Sequence, residues 1–234
     1  MKSAEKEFLD RLPNILIFFG EAGTSEQQSR AEKLLSLTLN NTHHDDAKRS
    51  ILRSAYQEFI DPGIKERKFA IGAYEATELK QLRDEEVPEY LFHRYRYLIN
   101  PREKLIDDYP PVLQIEPSSI CNFRCVFCYQ TDKSFTRRSN GHMGTMDTRL
   151  FKNIIDQIEG NIGFITLASR GEPLLAKNLG EMLAYTSGKF SNVKLNTNAS
   201  LLTEARAHEI LSANVHTVVF SVDAAEEPLY SQLR

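Results

Sequence analysis

Apolar positions change their spacing partway along the chain. Between residues 25 and 40, Ala31, Leu34, Leu35 and Leu37 share one broad face. Residues 47–60 repeat the pattern with Ile51, Leu52, Ala55, Tyr56 and Phe59, so two amphipathic helices are predicted. Asp61, Pro62 and Gly63 stop the second. A third helix is predicted from Thr77 toward Glu86, ahead of Pro88 and the aromatic residues Tyr90, Phe92, Tyr95 and Tyr97. After the Tyr109-Pro110-Pro111 step, short apolar runs at 112–116, 163–168, 193–196 and 217–222 read as strands. Helical patterns fit between them at 147–159, 178–187 and 204–212, where Leu150, Phe151, Ile154, Ile155 and Ile158 form the best apolar stripe. Such alternation is the pattern of an α/β fold with a parallel sheet covered by crossover helices. The expected division is a mainly helical N-terminal domain, 1–110, and an α/β domain, 111–234. The polar stretch 131–145 reads as a surface loop.

Composition narrows the function classes. A net charge of -3 provides no general basic field for a nucleic-acid backbone, so the aromatic group at 90–97 is read as packing. The longest early apolar run, Ile15 to Phe19, is far shorter than a bilayer span, and no membrane role is expected. The mixed charges before it do not resemble a secretory signal, which makes the cytoplasm the default compartment. His43, His44, Asp45 and Asp46 are read as a helix start and its neighbours, because adjacent residues do not share one helix face.

Chemistry concentrates at one place. Cys121, Cys125 and Cys128 are the only cysteines of the chain's 234 residues. Three thiols cannot all pair as disulfides, and spacings this tight do not cross-link distant parts of a fold. A metal site is the better reading. An iron-sulfur cube normally takes four protein thiolates, so three would leave one iron with an open position for an outside ligand. The alternative is a Cys3His zinc module with His142 as the fourth ligand, non-catalytic or serving interactions. A plain electron-transfer protein is a third possibility.

The stretch Cys121-Asn122-Phe123-Arg124-Cys125-Val126-Phe127-Cys128-Tyr129 resembles the cluster loop of the radical S-adenosylmethionine superfamily, with an aromatic residue directly before the last cysteine. Gly171-Glu172-Pro173, after the second predicted strand, is similar to the family's Gly-Gly-Glu-Pro element, with Arg170 where a first glycine often stands. Asn196-Thr197-Asn198 and Ser221-Val222-Asp223 close the third and fourth strands. The likeness runs from about Val112 to Arg234, and nothing family-specific precedes it.

What the resemblance implies is a partial (β/α) barrel in which the cysteines hold a [4Fe-4S] cluster whose open iron is chelated by S-adenosylmethionine. It further implies a one-electron reductant such as flavodoxin or ferredoxin, and hydrogen abstraction by a 5′-deoxyadenosyl radical from an unknown small molecule or peptide. Cofactor contacts would come from Phe127 near the adenine, from Gly171, Glu172 and Pro173, and from Asn196, Asn198, Ser221 and Asp223 near ribose or carboxylate. Glu172 would accept from the methionine ammonium, and Arg124 and Arg170 would offset negative charge. The plainer readings are a helix-start role for Glu172 and Asp223 and turn roles for the two asparagines. The Tyr-Pro-Pro step and the residues around Gly144 resemble members with SPASM or twitch cluster domains. The family core has six βα units against four predicted strands, so the frame is expected to continue past Arg234.

Overall fold

The computed structural model describes residues 24–40, 46–65 and 67–234. The apolar run at 15–19 and His43, His44 and Asp45 lie outside these. The chain divides into two units between Ile106 and Asp107.

The first unit is helical. Helices α1 (Thr24–Asn40) and α2 (Asp46–Ile60) bury most of the stripe the periodicity predicts, with Ala31, Leu35, Leu52 and Ala55 fully enclosed, whereas Leu37, read as part of it, is exposed. The third predicted helix is displaced: α3 spans Ala73–Leu79, not a run toward Glu86. It begins where the Glu75 carboxylate accepts the Gly72 N–H at 3.1 Å. Its end is held by Arg30 of α1, whose guanidinium donates to Leu79 O and Leu82 O, both at 2.7 Å. The aromatic stretch is itself a helix, α4 (Val87–Glu103), with Pro88 in its first turn, where a missing N–H costs nothing. This helix buries His93 and Arg96 beside Val87, Tyr90, Leu91 and Ile99, which is why its apolar period was weak in sequence. Phe59 stacks on Phe69, which meets Tyr95 edge-on, so this aromatic cluster is packing.

In the second unit, β1 (Val112–Ile115), β2 (Phe164–Leu167), β3 (Asn192–Thr197) and β4 (Thr217–Phe220) form one parallel sheet in sequence order. Val112 pairs with Phe164, Phe164 with Asn192, and Lys194 with Thr217. Between the cysteines and the second strand lie a short helix, α5 (Lys133–Thr136), within the stretch expected to be loop, and α6 (Thr148–Ile158). Then come α7 (Leu179–Thr186), α8 (Glu204–Ser212) and α9 (Glu227–Leu233). Asp147 caps α6 by accepting from Arg149 N at 2.8 Å and Leu150 N at 3.3 Å. One sheet face packs under these helices: Ile115, Ile165, Leu167, Val193 and Leu195 join Phe151, Ile155, Met182, Leu183 and Ile210 in a single core. Leu150, read as part of the stripe, is exposed instead, one position off the buried face. Because every strand runs the same way, their C-terminal ends collect at one edge, and the functional loops follow from there.

An ionic cluster in the helical unit sets its acid sensitivity. Burial alone would raise the Glu89 carboxyl, but hydrogen bonds from His93, at 2.9 Å, and Lys48, together with their charges, hold it at about 2 against an ordinary 4.5. A depressed carboxyl contributes stability in full above its unfolded value, and that stability is lost as pH falls toward 2. Glu89→Gln is therefore expected to lower the urea midpoint at neutral pH, with the difference shrinking below the ordinary carboxyl range and closing only as pH falls to about 2. Circular dichroism during urea titration checks this.

Candidate active site

The cysteine turn leaves β1 through Glu116 and Pro117 and is tied back at both flanks. Ser119 N donates to Gly144 O at 2.9 Å, and Met146 N donates to Pro117 O at 2.8 Å, anchoring the intervening loop beside the sheet edge. Within the turn, Cys128 N donates to Cys125 O at 2.9 Å and Phe123 N reaches Cys121 Sγ at 3.4 Å. Cys125 is buried, while Cys121 and Cys128 are half-buried.

All three cysteines line one cavity of about 300 Å³. Phe127, Gly171 and Glu172 line it as well, and so do Asn196, Asn198, Ser221 and Asp223 from the ends of β3 and β4. Pro173 does not; it is buried at the start of a 3-10 turn, Pro173–Leu175. Phe127 is 60% exposed at the cavity lip. Asp223 starts no helix. It pairs with Arg234 near Ser221, whose carbonyl also accepts from that arginine. Asn198 does serve a turn, accepting from Ser200 N at 3.0 Å and Ser200 Oγ at 2.8 Å, while its Nδ2 donates to Asn122 Oδ1 at 3.0 Å and lies 3.9 Å from Cys121 Sγ. The Asn196 Oδ1 is buried with no partner.

Glu172 is 2% exposed, and its carboxylate is richly bonded. It accepts from Leu174 N at 3.0 Å, Thr197 Oγ1 at 2.6 Å and Asn198 N at 2.7 Å. The helix-start role is thus real, since Leu174 lies in the turn Glu172 caps. A carboxylate has about four acceptor sites, so three donors leave room for about one more. Electrostatics at the thiols are mixed: burial pushes Cys121 up, the Phe123 N–H draws it down, and the charges of Glu172, Cys125 and Cys128 push it up again.

Arg170 is not turned on the cysteines to offset their charge. Its guanidinium forms a bidentate pair with Glu116, Nε at 3.1 Å from both oxygens and Nη2 at 2.6 Å from Oε2. Arg124 donates to Cys121 O at 2.8 Å and Phe123 O at 2.6 Å, folding back on its own loop. Instead Arg234 is the cation at the thiols, with Nη1 3.3 Å from Cys125 Sγ. Thr197, Gln130 and Glu116 also belong to the site's framework and were missed in the sequence. Only Thr197 carried a signal, continuing the buried phase of Val193 and Leu195.

Among the described residues, no three His, Cys, Asp or Glu side chains converge as ligands of a single metal ion. Zinc would need such convergence, with Zn–S near 2.3 Å. His142, the fourth ligand in the zinc reading, is outside the cavity lining and rests against Phe135, ring centres 6.2 Å apart.

Comparison with known proteins adds an independent line. A family model described as the Radical SAM superfamily matches residues 115–234. Fe-coproporphyrin III synthase of Methanosarcina barkeri is 28% identical over 120 residues, covering 51% of this chain and 29% of its own. Mycofactocin maturase MftC of Mycobacterium tuberculosis is 27% identical over 127 residues, covering 54% and 31%. The chain thus spans under a third of the length of these relatives. Among solved structures, BtrN in complex with AdoMet and 2-DOIA aligns at TM-score 0.44 and 24% identity, covering 54% of this chain and 51% of that one. Streptococcus suis SuiB bound to precursor peptide SuiA aligns at TM-score 0.44 and 18% identity, covering 62% and 32%.

Gly171 is where two loops approach most closely. A Cβ there would sit 1.9 Å from Ser118 O and 2.7 Å from Ile120 O, both backbone atoms that cannot swing aside. Gly171→Ala is expected to destabilise the α/β unit by about 3 kcal/mol or more. Urea denaturation of the two proteins measures the difference.

Proposed function

This chain belongs to the radical SAM superfamily, and from that premise we propose that Cys121, Cys125 and Cys128 hold a [4Fe-4S] cluster beside bound S-adenosylmethionine in an enzyme that abstracts hydrogen from its substrate. The observation that carries this reading is the shared cavity, in which three thiols meet the polar ends of β2, β3 and β4. Its donor chemistry suits both groups. Three thiols lining one hollow would be the residues to hold such a cluster. The orphaned Asn196 Oδ1 supplies an acceptor for a polar ligand, and a buried acceptor without a partner is otherwise costly.

Held by Cys121, Cys125 and Cys128, the cluster would supply one-electron reduction to S-adenosylmethionine bound beside it, the chemistry from which hydrogen abstraction would follow. The protein's own residues bind, orient and shield. Glu172 keeps about one acceptor site for the ligand's ammonium while its other bonds hold the loop still. Asn196 Oδ1 accepts from an amine or hydroxyl of the ligand, and Ser221 and Asp223 flank the same space. Phe127 at the lip limits water around a reactive species. The substrate is a small molecule or a peptide with an unactivated C–H bond, and a one-electron carrier such as flavodoxin or ferredoxin serves as reductant.

Anaerobic reconstitution tests the reading. The protein is expected to take up about four iron atoms and turn brown, with Cys121→Ala, Cys125→Ala and Cys128→Ala each abolishing a stable cluster. Adding S-adenosylmethionine is expected to alter the electron paramagnetic resonance of the reduced cluster. One tightly held zinc, or a cluster whose spectrum ignores S-adenosylmethionine, would overturn it.

A further inference from the structure

Gln130 stands two residues after the last cysteine, in a 3-10 turn, Tyr129–Thr131, and is only 3% exposed. Its Nε2 donates to Ser119 O at 3.1 Å and also to Arg170 O. Because both partners are carbonyls, the amide's orientation is set by chemistry. The Oε1 is left buried without a partner, a desolvation cost accepted while the two N–H donors are used. On the other side of the same residue, Arg170 N donates to Glu116 Oε1 at 2.7 Å. The main chain of Arg170 is therefore gripped at both its N–H and its C=O by side chains from two other segments.

That grip sits at a strained point. Ser169 has φ +152°, outside the regions that non-glycine residues favour, and such a conformation persists only where surrounding contacts over-determine it. Immediately downstream, Gly171 leaves no room for a Cβ, and Glu172 N donates to Ile120 O at 2.8 Å. Glu172 then binds Thr197 and Asn198, so movement at Arg170 passes directly to the end of β3. None of these bonds involves a cysteine sulfur.

We propose that Gln130 and Glu116 are positioning residues: by clasping the Arg170 main chain they hold Gly171 and Glu172 in register with the cysteine turn, and so set affinity for S-adenosylmethionine while leaving cluster assembly to the thiolates. This rests on the cluster reading above. It separates two properties that a purely structural role would change together.

The test uses anaerobically reconstituted protein, its iron content, and titration of S-adenosylmethionine by the resonance of the reduced cluster. Gln130→Met keeps the side chain's bulk but removes both donors, and is expected to retain wild-type iron while raising the half-saturating concentration about tenfold, equivalent to about 1.4 kcal/mol. Glu116→Ala is expected to do the same, and Glu116→Gln, which keeps an acceptor for Arg170 N, to recover most of the affinity. Met182→Ala, a cavity in the core under the helices, controls for general loss of stability and is expected to leave the titration unchanged. A Gln130→Met titration within about twofold of wild type overturns the proposal. So does parallel loss of iron and affinity, which would make the clasp a fold support only. Should Gln130→Met fail to fold, the Glu116 pair decides by the same criteria. Wild-type protein that takes up no iron refutes the cluster reading itself, a different failure from a variant that matches wild type.

Discussion

The buried carboxylate of Glu172 is the interaction on which the site end of the sheet depends. An ionised group this enclosed is tolerable only when hydrogen bonds replace its water, and three donors do so. Those donors come from its own turn and from the end of β3, so satisfying the charge fastens two loops together. Asn198 extends the connection, since its backbone serves Glu172 while its side chain reaches Asn122 and the Cys121 sulfur. One carboxylate thereby links the Gly-Glu-Pro turn, the third strand and the cysteine turn.

Beneath this polar edge lies an apolar body of different character. The helix-facing side of the sheet is continuous hydrocarbon, from Ile115 across Leu167 to Leu195, and the helices close over it with Phe151, Ile155 and Met182. Packing of this density resists deformation. The strand ends therefore stay put, and the loops need only short-range polar bonds to reach a common cavity. Arg170 illustrates the economy of the arrangement: where the family often has glycine, this chain places a long cation and pairs its guanidinium with Glu116.

Legibility in the sequence followed the kind of residue buried. Helix α8 was read to the residue, and all four strands within two, because Leu, Ile and Val recur there with a clean period. The helix α4 was invisible as a helix, since the face it buries includes His93 and Arg96, whose burial depends on partners elsewhere. The displaced α3 has the same cause: its end is decided by Arg30, more than forty residues earlier. At the site, the cysteine spacing and Gly171-Glu172 were visible because each is a local pattern. Gln130 and Glu116 were not, since a glutamine in a polar stretch and a glutamate after a strand look the same whether solvated or clasped.

By itself, then, the sequence determined the period-coded strands and helices, and the gathering of all three thiols in one short turn after the first strand. Side-chain type and spacing are local properties, and local physics suffices to read them. Only the tertiary structure decided which polar groups face one another, because a hydrogen bond between residues 130 and 170 or between 172 and 197 exists once parallel strands bring distant loops to the same edge. Pairing of this sort depends on distance in space, which the order of residues along the chain does not encode directly.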